Sequence, residues 1–123
     1  MPKSLEHQLQ LLCVKYFRAA YPDLYCNLWH TNGRAIDKRN GGVLKGMGVI
    51  AGVPDLLFFY KGKLHGIELK TAKGTQSEGQ KEWQTMALKH GGEYHIVRSV
   101  EQFVLLIQQT MHVVLVQLSL WQE

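Results

Sequence analysis

The sequence predicts an α/β fold with elements in the order α-β-β-β-α-β, followed by a further helix and strand. Three patterns indicate this order: an amphipathic helical stretch that begins the chain, two apolar strands around a lysine-glycine turn, and a capped helical stretch that precedes another strand. Helices on both sides of a run of strands are expected to flank a central sheet.

The first helix is predicted over Leu5–Ala20, with Ser4 as its N-cap and Pro22 after its end. Its expected buried stripe consists of residues at helical spacing, namely Leu5, Leu9, Leu12, Tyr16 and Ala20. Residues 25–30 alternate weakly in polarity and predict the first strand.

Residues 31–48 are predicted to form a glycine-rich basic loop, with a single acid, Asp37. Glycines let backbone amides approach phosphates, and basic side chains add salt-dependent affinity for nucleic acid. The predicted nucleic-acid contacts in this loop are Arg34, Lys38, Arg39 and Lys45. Lys73, in a second polar loop over residues 71–76, is predicted to make the same kind of contact. The alternative is an ordinary solvated loop.

The middle of the chain predicts a β-hairpin that turns at Lys61 and Gly62. In that register, paired residue numbers sum to 123, which places Asp55 opposite Glu68. A four-residue loop would give the same register. Directly opposed Cβ atoms lie roughly 5 Å apart, and like charges there are unfavourable unless a cation compensates.

Alternation along the second hairpin strand places Ile67 and Leu69 on one face, and Gly66, Glu68 and Lys70 on the other. The glycine is expected to leave that face open beside the acids. Two carboxylates suit Mg²⁺ or Mn²⁺, and a neighbouring ammonium can stabilise charge that develops on a phosphate. Acid and lysine also alternate on ordinary solvated strands, but the apolar residues 56–59 argue against such a surface here.

Residues 77–90 predict a helix followed by Gly91, and residues 94–97 predict a strand. A helix beginning at Ser99 is expected next, followed by a strand over residues 112–121, which are rich in valine. Such a strand could pair with a second subunit or form an intramolecular edge. The three tryptophans are interpreted as core or interface residues rather than base-stacking platforms: Trp29, Trp83 and Trp121.

The pair Pro54-Asp55 followed by Glu68-Leu69-Lys70 resembles the PD-(D/E)xK nuclease superfamily. The longer strings over residues 51–56 and 66–71, followed by Gln80, resemble more narrowly the virus-type replication-repair nuclease (VRR-NUC) domain. The resemblance extends from Glu6 to about Val97 and implies a restriction-endonuclease-like core with a mixed sheet. The catalytic residues that it implies are Glu6, Asp55, Glu68, Lys70 and Gln80.

Two of these residues also have structural interpretations. Gln80 completes a possible capping box with Ser77, although it lies on the helical face that points toward the sheet and could serve both purposes. Glu6 lies in the first turn of a helix, where the helix dipole favours a carboxylate.

The resemblance implies a Mg²⁺-dependent or Mn²⁺-dependent endodeoxyribonuclease, with metal held by Asp55, Glu68 and the Leu69 carbonyl. Stand-alone members resemble Holliday-junction resolvases, so a homodimer acting on branched DNA in phage replication, recombination or repair is expected. The alternatives are a restriction-like nuclease and a catalytically idle DNA-binding module.

The chain has 123 residues, which predicts one domain over residues 1–123. Its net charge of +4 and pI near 9.1 suit a polyanionic partner. No stretch is apolar enough for a membrane span or a signal peptide, so a cytoplasmic location, in the host cell if phage-encoded, is expected. Cys13 and Cys26 are expected to be reduced core thiols.

Overall fold

Four helices and four strands are defined in the computed structural model, which describes residues 4–31 and 41–121, with side chains described as far as residue 112. The helices are α1 (Leu5–Ala20), α2 (Gly41–Gly46), α3 (Glu78–Lys89) and α4 (Val100–Trp121). A short 3₁₀ helix spans Pro22–Asn27. The strands are β1 (Leu28–His30), β2 (Leu56–Tyr60), β3 (Lys63–Leu69) and β4 (Glu93–Val97).

The central hairpin has the predicted register. Its turn residues Lys61 and Gly62 have φ values of 48° and 82°, and a turn with two positive φ angles matches the twist of the flanking strands. Tyr60 therefore pairs with Lys63, and Leu56 pairs with Ile67, so every pair sums to 123. Because side chains alternate along a strand, this register also fixes which side chains of β3 leave the core.

The sheet has the order β1-β2-β3-β4, antiparallel except for the parallel pair β3 and β4. A parallel pair needs a crossover, which α3 supplies. One face of the sheet packs against α1 and α4 through Phe17, Phe58 and Phe103. The opposite face meets Trp83 of α3 at Gly66. The predicted mixed sheet with flanking helices is therefore confirmed.

The predicted buried stripe of α1 was wrong in part. Leu5 and Leu12 are 69% and 54% exposed, whereas Cys13 and Phe17 are fully buried. The helix presents Cys13 and Phe17, four residues apart, as its contact ridge, because these side chains meet Phe58 and the rest of the core cluster. The expectation for Cys26 was also wrong, since that thiol is exposed, whereas the buried Cys13 agrees with it.

The predicted C-terminal strand was wrong, because helix α4 continues without interruption to Trp121. Valines in residues 112–121 favour a strand only weakly, and no glycine or proline occurs between Val100 and Trp121 to end the helix. In its first half, Phe103 and Ile107 are fully buried. No helix within the described ranges is long and apolar enough to cross a membrane.

Two further boundaries differ from the prediction. Residues 25–30 divide between the 3₁₀ helix and β1, since Pro22 favours a helical first turn. The predicted loop over residues 31–48 contains α2, a short helix that ends before Gly48 at a φ of 99°. Residues 32–40 lie outside the described residues.

A buried histidine pair predicts how stability depends on pH. His65 is 6% exposed, and its Nδ1 lies 3.3 Å from Nε2 of His95. Burial, followed by the neighbouring His95, lowers the pKa of His65 from 6.5 to about 4. Below pH 6.5, His65 binds a proton in the unfolded chain but not in the folded chain. The contribution of His65 to stability is therefore fully present above about pH 6.5 and decreases as the pH falls toward about 4.

We expect the free energy of unfolding to fall by roughly 1–3 kcal/mol between neutral pH and the lower limit of that window. Urea denaturation of wild type and His65→Leu measures this, and the variant should show a flatter pH dependence. His90→Gln, which changes an exposed histidine, is the matched control. If the free energy of unfolding depended on pH equally in wild type and His65→Leu, the lowered pKa of His65 would be contradicted.

Candidate active site

Asp55 and Glu68 approach each other because the hairpin register extends one residue beyond β2. Asp55 directly precedes Leu56, whose partner is Ile67, so the next pair is Asp55 and Glu68. Asp55 Oδ2 accepts a hydrogen bond of 2.8 Å from the Leu69 backbone N–H. The carboxylate is thereby directed across the open end of the hairpin toward the polar face of β3.

Glu68 is a buried acid, with 3% of its surface exposed. Burial, and then the adjacent Asp55 charge, raise the pKa of Glu68 from 4.5 to about 8, although Lys70 acts in the opposite direction. Its Oε1 accepts a hydrogen bond from Gln80 Nε2 at 2.8 Å, whereas its Oε2 is buried without a hydrogen-bond partner. A buried carboxylate oxygen without a donor is costly unless a cation or another donor reaches it.

Gln80 both caps α3 and contacts the acid, so the two interpretations of the sequence apply together. Ser77 Oγ accepts from the Gln80 backbone N–H, and Gln80 Oε1 accepts from the Ser77 backbone N–H at 2.9 Å, which completes a capping box. The same amide donates through Nε2 to Glu68. The cap therefore fixes the side chain that orients the carboxylate of Glu68.

Lys70 lies at the end of β3, with its Nζ 3.9 Å from Glu68 Oε1 and its side chain 12% exposed. Its backbone N–H donates to the Val97 carbonyl at 3.1 Å, which anchors it beside β4. Arg98 then holds the following loop, because its Nη1 donates to the carbonyls of Thr71 and Gly74 at 2.6 and 2.9 Å. The backbone contacts with β4 thus hold the ammonium close to Glu68.

Two residues of the site were missed by the sequence analysis. His30 Nδ1 donates to the Asp55 carbonyl at 2.6 Å, and Thr31 Oγ1 donates to the Pro54 carbonyl at 2.8 Å. Both residues lie at the end of β1, whose last residue pairs with Leu56. Their position follows from the pairing of β1 with β2. The sequence of a weakly alternating three-residue strand does not indicate which residues it pairs with.

These elements enclose a cleft of about 190 Å³. All five predicted catalytic residues line it, together with residues of β1, the loop before β2 and the cap of α3: Glu6, Asp55, Glu68, Lys70, Gln80, His30, Thr31, Gly52, Val53 and Ser77. Glu6 reaches the cleft from the first turn of α1, so its position agrees with the implied site as well as with the helix dipole.

The predicted nucleic-acid contacts are only partly within the described residues. Lys45 lies exposed in the last turn of α2, and Lys73 lies exposed in the loop after Lys70. Neither residue lines the cleft. Arg34, Lys38 and Arg39 lie outside the described residues.

The donor set suits a hard divalent cation that keeps several water ligands. Within residues 4–31 and 41–112, no group of three or more histidine, cysteine or acidic side chains is arranged to hold a metal. Asp55 and Glu68 supply two carboxylates, and the partnerless Oε2 of Glu68 is an oxygen that a cation would satisfy. Mg²⁺ is commonly bound through one or two carboxylates, with water and substrate phosphate as its remaining ligands.

The two hairpin acids, the lysine that follows β3 and the glutamine of α3 line the same cleft. The chain has the fold of a VRR-NUC domain: a solved structure described as a VRR_NUC domain protein superposes with a TM-score of 0.73 at 22% identity. The match covers 89% of each chain. Searches against protein-family models and against curated proteins gave no match.

Gly66 serves packing rather than access to the acids, contrary to the prediction. A Cβ atom at this position would lie 2.7 Å from Pro54 Cγ and 2.7 Å from Trp83 Cζ3. The space beside Glu68 is therefore filled by the residue that precedes Asp55 and by α3. Glycine is needed because β3 lies against both of these side chains.

Gly52 allows the loop before β2 to approach the start of α3, and its replacement is expected to disturb the site. A Cβ atom there would overlap the Gly79 carbonyl and lie 2.8 Å from the Gln80 nitrogen, at a φ of 87°. We expect Gly52→Ala to lower the free energy of unfolding by roughly 2–4 kcal/mol, because backbone overlap adds to the cost of positive φ.

The matched control is Gly48→Ala, because Gly48 has a φ of 99° but no atom within 4 Å of its Cβ position. That variant should lose only about 1 kcal/mol, the cost of backbone strain alone. Thermal and urea denaturation of both variants measure their losses of stability, and the difference between the two losses is the cost of atomic overlap at residue 52. Equal losses in the two variants would contradict a tight contact between Gly52 and α3.

Proposed function

We propose that this chain is a Mg²⁺-dependent, structure-specific DNA endonuclease, similar to a Holliday-junction resolvase and acting in phage replication, recombination or repair. The observation that carries the proposal is the partnerless Oε2 of buried Glu68, in a cleft that Asp55 and Lys70 also line. A protein gains nothing in stability from burying an unsatisfied acid beside another acid. Such a site is instead suited to a cation and an anionic substrate.

Asp55, Glu68 and the Leu69 carbonyl would hold the metal. Asp55 is oriented by the Leu69 N–H and by His30, which holds its backbone, while Glu68 is oriented by Gln80. When bound, the ion supplies a Lewis acid for the phosphate oxygens and lowers the pKa of its water. Fixing both carboxylates in advance reduces the reorganisation that accompanies binding of the ion.

Lys70 has the position of a group that orients and helps to deprotonate the attacking water. Its ammonium lies 3.9 Å from Glu68 and is mostly buried, so its interaction with a nearby phosphate is little screened by solvent. In-line attack on the phosphorus would break the bond to the 3′ oxygen and leave 5′-phosphate and 3′-hydroxyl ends. Glu6 and Gln80 complete the proposed catalytic set at the cleft wall.

The proposed substrate is branched DNA, and the proposed assembly is a homodimer that cuts two strands. The net charge of +4 supports a polyanionic partner, and the exposed Lys45 and Lys73 are available for phosphate contacts. Arg34, Lys38 and Arg39 are proposed to contribute in the same way, through salt-dependent affinity.

The test is cleavage of a four-way junction, a flap, a single strand and a linear duplex, each with Mg²⁺, Mn²⁺ or EDTA. We expect paired, metal-dependent cuts across the junction by wild type and none by Asp55→Asn. Equal cutting of all four substrates would refute structure selectivity. Binding without cutting in either metal would refute the nuclease and favour an idle DNA-binding module.

A further inference from the structure

A second concavity of about 550 Å³ lies beside the candidate active site, between α1 and the edge strand β1. Its apolar part is formed by Leu11 and Val14 of α1 together with Trp29 of β1. Leu11 and Trp29 are 53% and 40% exposed, so the groove has an accessible apolar surface. Trp29 is therefore not a core residue, and we replace its interpretation from the sequence in the proposal below. None of the functions proposed above uses this surface.

The charged residues of the groove are all basic. Lys15 and Arg18 line it, and no aspartate or glutamate does so among the described residues. The Arg18 guanidinium lies 4.6 Å from the ring centre of Tyr25, which is itself 54% exposed. Positive charge beside exposed aromatic rings is the combination that single-stranded nucleic acid requires, because phosphates meet the cations and bases stack on the rings.

The groove adjoins the candidate active site through His30. This residue lines both the groove and the catalytic cleft, and its Nδ1 donates to the Asp55 carbonyl at 2.6 Å. Trp29 is the preceding residue of β1. A strand that lay along the groove would therefore pass directly from Trp29 to the acids at the end of the hairpin.

We propose that this groove binds an unpaired DNA segment, with a base stacked on Trp29 and phosphates against Lys15 and Arg18, next to the phosphodiester that is cut. This inference rests on the proposed function and adds a substrate requirement to it: unpaired bases on one side of the scissile bond, which a branch point can supply. A base inside an intact duplex has both faces stacked on its neighbours and cannot engage Trp29.

The experiment measures fluorescence anisotropy of a labelled oligothymidylate and of a labelled blunt duplex in EDTA, so that cleavage plays no part. Trp29→Ala should weaken binding of the single strand by about 5- to 100-fold and leave duplex binding unchanged. Trp29→Phe, which keeps an aromatic face, should restore most of the affinity. Thermal denaturation of both variants checks that they remain folded.

The basic residues are tested by the salt dependence of binding. Lys15→Ala with Arg18→Ala should reduce the slope of log affinity against log salt by about 1.4 for the single strand, since each phosphate contact contributes about 0.7. Lys89→Ala, which removes an exposed lysine at the end of α3, is the matched control and should leave the slope unchanged.

Three results would overturn the inference: wild-type binding by Trp29→Ala, equal loss of single-strand and duplex binding, or a change in self-association without a change in DNA affinity. The last result would mean that a second copy of the chain, and not DNA, binds in this groove. If no metal supports cleavage but binding depends on Trp29, only the nuclease proposal fails. If the chain cuts DNA and binding ignores Trp29, only the present inference fails.

Discussion

Asp55→Asn is expected to reduce metal-dependent DNA cleavage by at least about a thousandfold. The amide keeps the size of the side chain and an oxygen that can accept from the Leu69 N–H, so the local hydrogen bond of 2.8 Å can persist. It removes the negative charge that is needed to hold a divalent cation with Glu68. The loss therefore reports on metal binding rather than on the integrity of the hairpin.

Single-turnover cleavage of the preferred DNA, together with the thermal midpoint with and without Mg²⁺, measures both consequences. Wild type should gain stability on adding the ion, because the ion binds only the folded chain, and the variant should gain little. Without metal the variant should be at least as stable as wild type, since Asp55 raises the pKa of Glu68 by its charge. Asp23→Asn changes an exposed aspartate and is the control.

Lys70→Met is expected to reduce cleavage by about 10²- to 10⁴-fold while metal binding is retained. Methionine preserves the unbranched side chain that lies against Gly74, whose Cβ position is 3.2 Å from Lys70 Cδ. Only the ammonium, 3.9 Å from Glu68, is lost. The Mg²⁺-induced rise in thermal midpoint should therefore persist, which distinguishes this variant from Asp55→Asn.

The control for the lysine is Lys89→Met, which alters an exposed position of α3 and should cut at the wild-type rate. Cleavage is compared at several pH values, because loss of an ammonium that stabilises hydroxide should reduce the rate less at high pH, where hydroxide is available. Wild-type cleavage by Lys70→Met at all pH values would exclude a catalytic role for the ammonium.

The central hairpin could be predicted because its information is local. A lysine-glycine turn fixes the register, and strand alternation then assigns Glu68 to the polar face and Ile67 to the core. The position of Gln80 could be predicted for a similar reason: capping geometry and helical periodicity act within a few residues. In the hairpin and in the helix cap, interactions between residues close in sequence are sufficient to determine the conformation.

The remaining features depend on contacts that sequence patterns do not contain. His30 and Thr31 reach Pro54 and Asp55 only because β1 pairs with β2, from which it is separated by more than 20 residues. The rotation of α1 depends on Phe17 meeting Phe58 across the core. The helical C-terminal part of α4 shows that a valine-rich stretch follows the helix that precedes it when no breaker intervenes.

The two-residue turn at Lys61 and Gly62 has a consequence for how the sequence can vary. It lies at the far end of the hairpin, roughly 17 Å from the acids for five residues of strand. Insertion of a single residue there that shifted the pairing by one position would exchange the faces of β3, so that Glu68 would enter the apolar core and Ile67 would take its place on the face that carries the site. Length changes at this distant and exposed turn are therefore as restricted as substitutions of the acids themselves.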